Sequence, residues 1–176
     1  LDAEILLIDE VLAVGDNKLS FEPELRFSLE GKPWSYIFWG RYKMVTTSKF
    51  ALTVGAHPAI AFKTTTDSVN GAAKEVTVTR RYLAGEISPN YALAKHISVG
   101  AYYLYSHGMN EGATKNTHFF RLNGNFSNIR LTKQFFLRVT PQLYYLNMDH
   151  ADGVYVASTI GVARKNFPLT LSAMIN

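Results

Sequence analysis

"KLSFEPELRFSLE", residues Lys18 to Glu30, decides how this chain is read. Its odd positions are Leu19, Phe21, Pro23, Leu25, Phe27 and Leu29. Its even positions are Lys18, Ser20, Glu22, Glu24, Arg26, Ser28 and Glu30. A β-strand sends successive side chains to opposite faces, so this segment has one apolar face and one charged face. A helix would scatter the same residues around its circumference.

The alternation spreads outward from there. "PWSYIFWGRYKMV" carries Trp34, Tyr36, Phe38, Tyr42 and Met44 on one side, with Arg41 and Lys43 on the other. "KFALTVGAHPAIAFK" sets Phe50, Leu52, Val54, Ile60 and Phe62 against Lys49, Thr53, His57 and Lys63. Further runs begin near Val76, Ile97, His118, Leu131, Val154 and Leu169, giving nine expected strands after Asp16. The phase blurs over "RRYLAGEISPNYAL", read as a bulged continuation of the fourth of these strands. The class expected is all-β, an antiparallel up-and-down meander.

Strand length narrows the class. Soluble sandwiches favour strands of about 5–6 residues. Several runs here alternate for about 11–15 residues, enough for a tilted strand to cross a bilayer. Short turns are expected at Thr46–Ser48, Leu93–His96, Ser127–Arg130 and Arg164–Pro168. Longer loops are expected at Thr66–Lys74, His107–Asn116 and Asn147–Gly153. Short and long connections at opposite ends are the asymmetry of an outer-membrane barrel. The aromatic clusters Trp34–Tyr36, Tyr102–Tyr103–Tyr105 and Tyr144–Tyr145 would then form interfacial girdles.

Composition agrees with long strands. Charged residues make 18% of the 176, against roughly 25% in an ordinary soluble domain. Aromatics make 13%, with ten Tyr and eleven Phe. A net charge of +4, spread along the chain, gives no basis for nucleic-acid binding. The absence of cysteine removes disulfides, thiolate metal sites and a Cys nucleophile. No apolar run reaches the length of a transmembrane helix.

The region Asn17–Asn176 resembles outer-membrane β-barrel proteins of the Bacteroidetes type, notably in "KLSFEPELRFSLEGKPWSYIFWGRYK", "ISVGAYYLYSHG" and "FFLRVTPQLYYL". The resemblance implies outer-membrane localisation, the lipid bilayer as partner, and a porin-like or structural role without catalysis or cofactor. The odd strand number and the terminal "LTLSAMIN" depart from the family pattern, so an incomplete barrel is expected. A soluble lipocalin-like ligand-binding barrel is the alternative, with its apolar faces turned inward.

The first sixteen residues speak differently. "ILLIDEVLAVGD", Ile5–Asp16, resembles the Walker B strand and D-loop of ABC transporter ATPases. The resemblance implies a magnesium-holding role for Asp9, a water-polarising role for Glu10, and a D-loop at Gly15–Asp16. Such chemistry needs a glycine-rich loop with Lys and Ser/Thr to cradle the phosphates. The chain contains no such loop. The segment is therefore expected to be a fragment joined at Asn17–Lys18, as a short strand or loose helix poorly packed on the barrel. The initial Leu in place of Met fits a chain that begins inside a longer frame.

No other chemistry stands out. His57, His96, His107 and His118 lack a second ligand at metal spacing, and His150 has only Asp149 and Asp152 as acidic neighbours. Ser106, His118 and Asp149 have no spacing that marks a triad. The site residues are instead those expected to face a barrel lumen: Glu22, Glu24, Arg26, Arg41, Lys43, Lys49, Lys63, Arg121, Arg138 and Gln142. Their basic excess would favour anions in a wet channel.

Titration calorimetry with Mg-ATP is expected to give no saturable heat, since magnesium leans on substrate oxygens that nothing here positions. Micromolar binding abolished by Glu10→Gln or Asp9→Asn would overturn this.

Overall fold

The computed structural model describes residues 5–9, 12–14, 18–69, 72–164 and 170–175. Among the described residues eleven strands are present: β1 (Ile5–Asp9), β2 (Leu12–Val14), β3 (Leu19–Ser28), β4 (Pro33–Thr46), β5 (Phe50–Val69) and β6 (Ala72–Ala94). The remainder are β7 (Ile97–Gly108), β8 (Asn116–Arg130), β9 (Phe135–Met148), β10 (Ala151–Arg164) and β11 (Thr170–Ile175). They form one sheet in the order β1-β3-β4-β5-β6-β7-β8-β9-β10-β11, with β2 also on β3. Among the described residues there is no helix, and no pairing joins β11 back to β1. The molecule is an open all-β antiparallel meander, with nine strands after Asp16 as the periodicity predicts.

The opening segment is laddered onto the sheet. β1 runs antiparallel to β3 from Ile5 opposite Ser28 to Asp9 opposite Glu24. β2 takes the rest of the same edge, from Leu12 opposite Phe21 to Val14 opposite Leu19. Of the two expected forms, short strand or loose helix, the described backbones take the short strand. Glu10, Gly15 and Asp16 lie outside the described residues.

The connections differ from those expected. Asn147–Gly153 is not a long loop: β9 and β10 meet across Asp149–His150, with Asp149 at φ 51. Asp tolerates this left-handed backbone better than most residues, which lets the strands turn at once. Ser127–Arg130 is not a turn but the end of β8, whose pairing with β9 shifts between Phe126 and Ile129. Asn128, at φ 56, takes up the irregularity, and Ser127 N–H donates to the His96 carbonyl at 2.9 Å. The turn that follows is 131–134. β5 and β6 continue to Val69 and from Ala72, through most of the expected Thr66–Lys74 loop. Among the described connections, sorting into short and long ends is thus not found; the turn expected at Arg164–Pro168 lies, after Arg164, outside the described residues. Turn-forming residues mark bulges and tight turns as readily as loops.

Two compact units can be distinguished along the strands. One comprises Leu1–Tyr42, Val54–Gly85 and Tyr105–Asn116; the other Lys43–Thr53, Glu86–Leu104 and Thr117–Asn176. In the first, Leu19 faces Tyr42, Pro23 faces Phe38 and Leu25 faces Tyr36 on one side of the sheet. Ser20 faces Arg41, Glu22 faces Trp39 and Arg26 faces Ser35 on the other. In the second unit, Phe120, Tyr145 and Val154 line up across β8, β9 and β10, as do Leu122, Leu143 and Val156. The opposite side carries Arg121, Tyr144 and Tyr155 in one row and Asn123, Gln142 and Ala157 in the next.

Exposure separates the two faces in an unusual sense. Val154 and Val156 are 67% and 69% exposed, whereas Ala157 between β10 neighbours is 4% exposed. Phe21, Tyr42, Leu122, Leu143 and Tyr145 are exposed too. Among the described residues the buried apolar set is Trp39, Ala59, Ala84, Ala113 and Ala157, and no large side chain is fully buried. A soluble domain buries its Leu, Ile, Val and Phe first. Here the polar face is the better covered one in each unit.

The β7–β8 connection, residues 109–115, is folded down rather than free. Met109 N–H donates to the Arg81 carbonyl at 2.8 Å. The Asn110 side chain accepts from the Arg81 N–H at 2.8 Å and donates to the Thr79 carbonyl at 2.9 Å. The amide therefore stands in for a strand partner along β6. Asn110→Ala is expected to expose these groups and weaken the loop by about 1–2 kcal/mol. Hydrogen exchange should report faster exchange at Arg81, together with new proteolytic cleavage within residues 109–115.

Candidate functional site

The polar faces hold the chain's chemistry. In the first unit, strand pairing brings Glu22 on β3 beside Trp39 and Arg41 on β4. Ser20 Oγ donates to Glu22 Oε1 at 2.7 Å, and Arg41 forms an ion pair with Glu22 Oε2. The Arg41 guanidinium also lies 4.1 Å from the centre of the Trp39 ring. His57 on β5 stands edge-on to the same ring, with centroids 4.0 Å apart. Both rings are buried, Trp39 at 7% and His57 at 6% exposure. Glu24 pairs with Arg26 along β3. Lys63 has the strand parity of His57 and Ala59 and is exposed.

In the second unit the polar face is organised around rings. Tyr102 on β7 donates its hydroxyl to Glu86 Oε2 at 2.5 Å, and Glu86 is 7% exposed. Arg121 on β8 lies 5.2 Å from the Tyr102 ring centre. Phe119 meets Tyr102 at 5.9 Å and Tyr144 at 5.7 Å, and Tyr144 meets Tyr155 at 5.1 Å. Arg138 Nε donates to Asn125 Oδ1 at 3.2 Å. Gln142 lies between Asn123 and Ala157 in the register.

The ten residues singled out from the sequence thus fall into distinct groups. Glu22, Glu24, Arg26 and Arg41 come together on one polar face. Arg121, Arg138 and Gln142 occupy another. Lys43 is exposed near the end of β4, and Lys49 sits in the 47–49 turn, where its carbonyl accepts from Ala92 N–H at 2.7 Å. His150 lies in the exposed β9–β10 turn. In the β3–β4 turn, Glu30 beside Lys32 raises that lysine's pKa above its ordinary value.

The aromatic clusters divide between faces, which corrects their assignment to girdles as groups. Tyr103 and Tyr105 are on the exposed apolar side, hydrogen-bonded to His118 Nδ1 at 2.9 Å and Asn116 Oδ1 at 2.8 Å. Tyr145 shares that side with Phe120. Tyr102 and Tyr144 point the other way. Sequence reasoning left out Trp39, Glu86, Tyr102, Phe119, Tyr144 and Tyr155 as polar-face residues. Strand parity alone would have placed all of them there except Glu86, which lies where the alternation loses phase.

Comparison of the chain with protein-family models, with curated proteins and with solved structures gave no match.

Arg41→Met is expected to destabilise the first unit by about 1–3 kcal/mol, because it leaves the half-buried Glu22 carboxylate without its cation. Urea unfolding followed by tryptophan fluorescence should show a lower midpoint. Glu22→Gln placed on top should recover part of the loss.

Proposed function

We propose that this chain is part of an outer-membrane β-barrel whose apolar face meets lipid and whose polar face lines a passage for small polar solutes. The observation that carries the reading is the inverted distribution of side chains: exposed Val, Leu, Phe and Tyr on one face, and ion pairs, amides and half-buried carboxylates on the other. In water each fully exposed large apolar side chain forgoes about 1.5–3 kcal/mol of burial. A bilayer supplies that burial without a protein core. Strands such as β4, β9 and β10, each of 14 residues, meet the length that a tilted crossing requires. The role is passive, diffusion or structural support, and no catalytic constellation is invoked.

Val156→Arg and Leu143→Arg each put a cation on the exposed apolar face, at a cost of about 2–4 kcal/mol near the bilayer midplane. Either should slow or abolish insertion into liposomes, measured by protection from external protease. Thr159→Arg, on the polar face of β10, should insert normally. Equal insertion of all three would sink the membrane reading. Recovery of the complete protein from the soluble periplasmic fraction would favour the lipocalin-like barrel instead. Ion conductance across planar bilayers would separate an open lumen from a plugged one.

A further inference from the structure

We propose that the four rings Tyr102, Phe119, Tyr144 and Tyr155 form a stacking track for a neutral carbohydrate. The inference deepens the polar-solute reading and rests on it. One ring comes from each of four consecutive strands, β7 to β10, with successive centroids 5.9, 5.7 and 5.1 Å apart. Three strand spacings span about 14 Å. The track is therefore longer than one sugar ring.

The end of the track is built to stay open. Tyr155 is 47% exposed and nearly parallel to Tyr144, at 16°. Its ring leans back over Gly153, where an added Cβ would meet the Tyr155 hydroxyl at 2.7 Å and ring carbons at 2.9 Å. Only glycine permits that pose. Nearly half the residue's surface is left exposed.

The next positions along the same face carry amides and hydroxyls. Asn123 lies opposite Gln142, and Thr140 lies opposite Thr159. Of the cations nearby, Arg121 has a buried Nε with no hydrogen-bond partner, and Arg138 is exposed. Arg121 lies over Tyr102, and Arg138 donates to Asn125. Glu86 accepts from Tyr102.

A pyranose has a C–H face and a rim of hydroxyls. Aromatic faces carry the negative side of a quadrupole, which attracts such C–H groups. Neutral amides exchange hydrogen bonds with hydroxyls without the desolvation that a charged partner demands. Sites of this kind combine a largely aromatic lining with a few orienting polar groups.

The test uses the full chain in detergent micelles, with glucose, maltotriose and maltohexaose as probes and inorganic phosphate as the anion control. Calorimetry is expected to show affinity rising from the monosaccharide to the hexamer, with phosphate weaker than either oligomer. Tyr155→Ala should weaken maltohexaose binding about tenfold, a change of about 1.4 kcal/mol. Gly153→Ala keeps all four rings but displaces one, and should do the same. Native-like circular dichroism and heat resistance of that variant show that the sheet has survived. Well-folded protein that binds no oligosaccharide, or binds phosphate more tightly, overturns the proposal. So does binding unchanged by both variants. Protease protection of the same protein in liposomes is read separately. Insertion without sugar binding sinks the track alone, and failure to insert sinks the barrel.

Discussion

A pleated strand gives each side chain one of two addresses, and the whole distribution of chemistry in this molecule follows from that constraint. Because the period is two, a single slip of register would carry Glu22 and Arg41 to the side of Phe21 and Tyr42. The ladder of backbone hydrogen bonds holds the register. Side chains then sort into an apolar surface and a polar one without any helix or second layer. Stability in such a sheet comes largely from neighbouring strands: the Glu22–Arg41 ion pair, the Trp39–His57 contact and the ring-to-ring contacts of β7 to β10 are made between strands, while Arg41 over Trp39 lies within β4.

The edge at β3 shows how this economy extends to the opening segment. β3 has ten residues and needs partners along both sides. β4 supplies one side, while β1 and β2 divide the other. The acid Asp9, which the ABC-like motif would assign to a metal, holds a register position opposite Glu24. The backbone pairing is what keeps the segment there.

Much of this was legible in the sequence, for a physical reason. Alternation over Lys18–Glu30 and its successors reports directly on which face a residue occupies, so fold class and strand number after Asp16 came through. Connections did not. Asn128 and Asp149 both adopt left-handed backbone, yet one marks a bulge inside β8 and the other a tight turn. A polar residue with that freedom signals a deviation in the chain without saying what kind. The polar-face ions were readable as charges, whereas the rings beside them were hidden by adjacency. Tyr102–Tyr103 and Tyr144–Tyr145 look like clusters along the chain, and the pleat splits each pair. Gly153 was invisible for a similar reason. Its importance lies in the Tyr155 ring above it, two residues away on the same face.

The meander order also fixes how the chain finds its shape. From β3 to β10 each strand pairs with its neighbour in sequence, and the described connections between them are a few residues long. Closing such short loops carries little entropic penalty, so each hairpin can form soon after its second strand is available. Assembly can therefore proceed as a zipper in which every new strand finds a template already in place. The two outer edges have no such advantage. Among the described residues β11 pairs with β10 alone and β1 with β3 alone. Those two edges are the strands whose unpaired backbone groups are most ready to accept a further strand, right or wrong.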